Sequence, residues 1–136
     1  GDDSGTHSAE LRLWEIAETR PQDHRIFESG QGMAATLRIA SERNAYTLTD
    51  YPTYLRLRDT LELAIIYQRE DPALLNCYAL TVPAGPRNDA AAALAEWLSR
   101  GGGRELITSF RIDGEQPFRI WPHDVPDDHP EAVPRP

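Results

Sequence analysis

The sequence has 136 residues, with 14 basic and 22 acidic side chains for a net charge of −8, 40% apolar residues, one cysteine and no lysine. Such a chain is one soluble domain in size and composition. It lacks the basic surface a general nucleic-acid binder needs, the lysine of Schiff-base or phosphate-loop chemistry, and the cysteines of an intramolecular disulfide or a cysteine-rich zinc site. No apolar run approaches the ~18 residues of a membrane-spanning helix, and no basic-then-apolar leader is present, so an export signal would lie outside these residues.

Residues 1–6 (GDDSGT) read as a turn dense in helix-capping side chains. Ala9, Leu13, Ile16 and Ala17 then share one helical face, broadened by Trp14, and Pro21 is expected to end this helix near Thr19. After a polar loop, Gly32 opens a second helix in which Met33, Thr36, Leu37 and Ala40 share a face up to about Arg43. Residues 46–49 alternate and are predicted as a short strand. Asp50 and Pro52 restart a helix through Leu57. Residues 61–67 carry the strongest strand pattern, and residues 78–82 predict another.

From Asn88, a plausible cap, Ala91, Leu94, Ala95, Trp97 and Leu98 form a helical stripe that the run Gly101–Gly102–Gly103 stops, followed by a short helix over residues 104–110. Residues 122–136 hold five prolines, four acids and two histidines with little to bury, and are expected to form a disordered tail. Cys77 sits in an apolar run and reads as a buried thiol. Strands separated by helices give an α/β fold class.

The densest polar constellation is Asp3–Ser4–Gly5–Thr6–His7. A helix N-terminus offers unpaired N–H groups and a partial positive charge, Ser4 and Thr6 add hydroxyl donors, and Gly5 lets a ligand approach the backbone. Plain helix capping fits the same residues, and Asp2 and Asp3 oppose an anion. Tyr46, Thr47, Thr49 and Asp50 form a second polar cluster, in which Asp50 reads as a cap and Tyr46 as a core edge. His123, Asp124, Asp127, Asp128 and His129 are metal-ligating types, but a proline-rich tail does not preorganise them, so no metal site and no cofactor are expected. Residues 3–6 also match the D-[ST]-G-[ST] loop of dimeric aspartic proteases, in which two aspartates share a proton. That loop follows an apolar strand and leads into others, whereas here it opens a helix. The Gly-Asp-Ser-Gly-Gly loop of chymotrypsin-like proteases is broken by the extra aspartate. No catalytic residue is assigned, and the chain is not expected to be an enzyme.

Taken together, residues 1–7, 28–33, 36–42, 45–50 and 53–55, with Asn76, Tyr78, Trp97–Leu98 and residues 113–116, resemble the tungstate-binding proteins of ABC importers, in the type II periplasmic binding protein superfamily. The order of the segments is the family's, and the likeness covers nearly all of residues 1–121. It departs at Ala34, at Tyr51–Pro52, where the family has an arginine, and at the glycine run.

The resemblance implies the second lobe of a type II periplasmic binding protein-like fold, a mixed sheet flanked by helices. Residues 1–75 would form ligand-binding lobe two, residues 76–121 a returning strand and helices that normally pack on lobe one, and residues 122–136 the tail. The implied ligand is a small inorganic oxyanion, tungstate or molybdate. Thr6 would touch it, with Ser4 and Gly5 beside it and Tyr46 and Thr47 from the second cluster. The implied partners are the membrane permease of an ABC importer and a missing N-terminal lobe, or self-association in its place, at a periplasmic or extracellular location. A sensor or interaction module that keeps the fold without transport is the alternative, and a dimeric aspartic protease a more distant one.

Overall fold

The computed structural model describes residues 4–69, 71–81 and 89–120. The chain divides at Asn76/Cys77 into two compact units.

In the first unit, α1 (Gly5–Ile16) begins after Ser4, whose extended backbone and side-chain cap start the helix. It ends before the turn expected near Thr19. Glu18 adopts a left-handed backbone (φ 48°), its amide bonds the Glu15 carbonyl at 3.1 Å, and the Thr19 amide reaches Trp14 at 3.1 Å. This paired closure satisfies the last carbonyls and stops the helix on Glu18, where glycine or asparagine is the usual residue. A second closure of the same kind ends α2 (Met33–Arg43) on Asn44 (φ 50°), with the Ala45 amide bonded to the Ala40 carbonyl at 2.9 Å.

Helix α3 (Tyr51–Leu57) follows Asp50, whose carboxylate accepts the Thr53 amide at 2.7 Å, and Pro52 stands in its first turn. Leu37 and Ala40 of α2 and Leu55 of α3 are the buried apolar side chains among the described residues, with Leu37 only 1% and Leu55 2% exposed. The packing of α2 on α3 is therefore the centre of this unit.

The path between these helices shows how residues 45–50 lie. Asn44 closes the C-terminal end of α2, yet the Asp50 amide touches Met33, its first residue. An eleven-residue helix is about 16 Å long at 1.5 Å per residue. Six residues span at most about 20 Å, so residues 45–50 run back along α2 nearly extended. Residues 46–49 thus carry a strand-like pattern but join no ladder among the described residues.

The same holds for residues 61–67, which side chains rather than a ladder tie to the helices. The Glu62 amide donates to Ser41 Oγ at 2.8 Å, and the Tyr54 hydroxyl to the Leu63 carbonyl at 3.3 Å. No sheet forms among the described residues, so the expected mixed sheet is not seen there. Of the third predicted strand, residues 78–81 carry no ladder and Val82 lies outside the described residues.

In the second unit, α4 (Asp89–Ser99) and α5 (Gly102–Ser109) fold back on each other across the glycine run. The run does stop α4, but α5 already begins inside it. Gly103 is buried beneath the Trp97 ring, and a Cβ there would lie 2.7 Å from Trp97 Cε3. Arg104 donates to the Ser99 carbonyl at 3.3 Å, placing a cation at the C-terminal end of α4. Phe110 and Phe118 stack obliquely, with centroids 5.9 Å apart. Between them Asp113 (φ 50°) and Gly114 (φ 83°) form a two-residue turn closed by reciprocal Ile112–Glu115 backbone bonds of 3.0 and 2.9 Å. Asn88, the proposed cap, and residues 122–136, the proposed tail, lie outside the described residues.

Candidate functional site

The first turn of α1 is where sequence and geometry meet. Ser4 Oγ accepts the His7 amide at 3.2 Å, and the Ser8 amide bonds the Ser4 carbonyl at 3.0 Å. That leaves the Gly5 and Thr6 amides, which have no intrahelical acceptor by their position. Among the described residues neither they nor the Thr6 hydroxyl makes a hydrogen bond. A side chain added at Gly5 would meet nothing within 4 Å, so the mouth is open there. The first turn contains no acidic residue. Two amides without an intrahelical acceptor therefore stand at the positive end of a twelve-residue helix, with the Thr6 hydroxyl on the same turn.

Ser4 serves as the cap that plain helix initiation predicted, and capping does not exclude a ligand at the same turn. Asp2 and Asp3 lie outside the described residues. His7, without an evident partner in the sequence, has Nδ1 at 3.8 Å from Glu10 Oε2.

The second cluster is built differently. Tyr46 is 89% exposed and is not the core edge the sequence suggested. The Thr47 and Thr49 hydroxyls donate to the next residue's carbonyl, Leu48 at 3.3 Å and Asp50 at 3.2 Å. Asp50 is the expected cap, and its amide donates to Met33 Sδ at 3.2 Å. No hydrogen bond among the described residues joins Tyr46 or Thr47 to Ser4, Gly5 or Thr6.

The Gly30–Gln31–Gly32 turn is a structural joint. Ser29 Oγ and Thr36 Oγ1 lie 2.7 Å apart, the Gln31 amide donates to Ser29 at 3.3 Å, and Thr36 Oγ1 stands 3.2 and 3.3 Å from the Gln31 and Gly32 carbonyls. These hydroxyls are consumed locally, and Gly30 supplies the left-handed backbone (φ 59°) the turn needs.

Two shallow hollows of this unit lie at the other end of α1. One of about 390 Å³, lined by Leu11, Trp14, Glu18 and Arg20 among others, sits at the C-terminal end of α1. There the helix dipole is negative and disfavours an anion. Arg20 stacks on Trp14 at 5.5 Å, giving that hollow a structural explanation.

No cluster of three or more histidine, cysteine, aspartate or glutamate side chains suited to a metal occurs among the described residues. The candidates His123, Asp124, Asp127, Asp128 and His129 lie outside them. Cys77 is exposed, which corrects the expectation of a buried thiol. No described helix is long and apolar enough to cross a membrane.

A family model described as a PBP superfamily domain matches residues 1–100. The chain belongs to the PBP superfamily. Among curated relatives, a protein of Haloferax volcanii provisionally assigned as an ABC transporter anion-binding protein is 35% identical over 127 residues, covering 87% of this chain and 37% of the relative. The tungstate-binding protein TupA of Peptoclostridium acidaminophilum is 35% identical over 116 residues, covering 81% of this chain and 40% of the relative. The TupA of Campylobacter jejuni is 30% identical over 130 residues, covering 88% and 48%. The chain thus spans less than half the length of these relatives, which are named as binding proteins and not as enzymes. The resemblance drawn from the segments is the one these relatives bear. No solved structure matches significantly.

One contact escaped the sequence altogether. Met33 reads as an apolar residue on the buried stripe of α2, and nothing in its local pattern announces a thioether accepting an amide seventeen residues on.

Proposed function

We propose that this chain forms the second lobe of a solute-binding protein that holds a tetrahedral oxyanion, tungstate or molybdate, and delivers it to the membrane permease of an ABC importer. The observation that carries the reading is the first turn of α1, where the Gly5 and Thr6 amides and the Thr6 hydroxyl make no hydrogen bond among the described residues. The names of the relatives support the ligand class. A fully deprotonated oxyanion presents acceptors alone and suits two free helix-start amides, which can only donate. Ser4 holds the turn in place. Tyr46 and Thr47 approach the ligand from the extended return along α2, and the opposing surface comes from an N-terminal lobe or from a second copy. The location is periplasmic or extracellular, with membrane association through the permease.

Calorimetric titration of the full-length protein with tungstate, molybdate and sulfate tests the reading. Saturable binding of tungstate or molybdate with far weaker sulfate is expected. Thr6→Ala should weaken that binding by about 1–3 kcal/mol, the cost of stranding a buried acceptor. A folded protein that ignores all three anions would favour a sensor or interaction module instead. Unchanged affinity in the variant would remove Thr6 from the site.

A further inference from the structure

We infer that Met33 is a positioning residue for the ligand-bearing segment 45–50, acting through its thioether; the inference rests on the oxyanion reading above. Among the described residues, the hydrogen bonds that tie the segment to the helices stand at its two ends, while half-buried Leu48 adds packing between them. At its start the Ala45 amide bonds the Ala40 carbonyl at 2.9 Å as part of the closure of α2. At its end the Asp50 side chain caps α3 at 2.7 Å, and the Asp50 amide donates to Met33 Sδ at 3.2 Å.

The cap ties Asp50 to α3 alone. The thioether is the hydrogen bond that ties it to α2, and it does so at the first residue of that helix, nearly the full length of α2 from Asn44. Because the six residues must cover most of their extended reach, a shift at Asp50 is passed along the backbone to Thr47 and Tyr46 rather than absorbed by slack. Thr47 and Thr49 bond only to their own neighbours, so neither anchors the segment independently. Sulfur is a weak acceptor. Met33 is thus a tether firm enough to set the register of the segment yet soft enough to let it adjust to a ligand.

Met33→Leu keeps a similar apolar volume and removes the acceptor, while Met33→Gln supplies a carbonyl oxygen at a comparable reach. In the full-length protein, Met33→Leu should speed amide exchange at Asp50 by roughly five- to ten-fold, as expected for one lost hydrogen bond. The unfolding midpoint should stay close to that of the parent, and the tungstate Kd should rise several-fold. Met33→Gln should restore both exchange protection and affinity. Faster exchange with unchanged affinity would overturn the positioning role, and unchanged exchange would overturn the tether itself. If Met33→Leu is poorly folded, the Gln variant decides: slow exchange at Asp50 and parental affinity support the tether, and their loss despite a parental midpoint overturns it. A parent protein that binds no oxyanion would overturn the ligand reading and the positioning role with it, while the exchange data would still report separately on the tether.

Discussion

Gly103 is the position where the structure makes its sharpest demand on residue type. A Cβ there would stand 2.7 and 2.8 Å from Trp97 Cε3 and Cζ3 and 2.9 Å from the Trp97 carbonyl oxygen. Real Cβ atoms do not occupy such distances, and neither an indole ring nor a backbone carbonyl yields cheaply. Overpacking of this kind costs about 1–3 kcal/mol. Alanine in place of a helical glycine returns up to about 1 kcal/mol through the unfolded chain. The net expectation for Gly103→Ala is a loss of about 1–2 kcal/mol. In a domain of this size each kcal/mol moves the thermal midpoint by about 4 °C, so a fall of roughly 4–8 °C should appear in a circular-dichroism melt. Gly102→Ala is the control, since its Cβ would meet Trp97 Nε1 at 3.3 Å and Cε2 at 4.0 Å and no backbone atom within 4 Å, and it should be near neutral. In a Trp97→Ala background the share of the Gly103→Ala cost owed to the ring should vanish, while the 2.9 Å approach to the backbone carbonyl of residue 97 remains. A Gly103→Ala protein that melts at or above the parent temperature would refute the packing of α4 on α5 described above.

Two further stability effects follow from the helix ends. Glu18→Gly should stabilise the protein by about 0.5–1 kcal/mol in urea titration, because it relieves a side chain held at φ 48° and removes an acid from the negative end of α1. A destabilised variant would mean that the closure seen there does not form in solution. Asp50→Ala should cost about 1 kcal/mol through the lost cap, and Asp50→Ser should retain most of it, read by the same titration. Equal losses in both variants would point to a role for Asp50 other than capping.

The helices were legible because their causes are local. A 3.6-residue stripe opened by Gly32 places α2, and the Asp50 cap with Pro52 in the first turn places α3, both almost to the residue. The end of α1 was not legible, since Pro21 looks like the stop while the closure at Glu18 acts first and uses a residue with no evident preference for it. The strands failed for another reason. Residues 46–49 and 61–67 have the composition of strands, but a strand exists only when a partner lies alongside, and that is a property of distant chain. At the candidate site, Ser4, Gly5 and Thr6 were readable because helix starts are written in a few adjacent residues. Met33 was not, since its role comes from a return path that only the folded backbone creates. The Asp113–Gly114 pair had the usual hairpin signal, and the structure uses it for a turn with a single bridge.

The bare apolar segment at residues 61–67 also governs how this chain behaves as a material. Its sequence, LELAIIY, carries one charge and no proline, and Ile66 is 77% exposed with no ladder on either side. Short runs of high strand propensity and low charge stack readily into cross-β arrays when left uncovered. A net charge of −8 keeps whole molecules apart at low salt, but screening shortens that protection to within about 8 Å at physiological ionic strength. Where nothing beyond the described residues covers these seven, they would be the first part of the chain to stack in a concentrated solution.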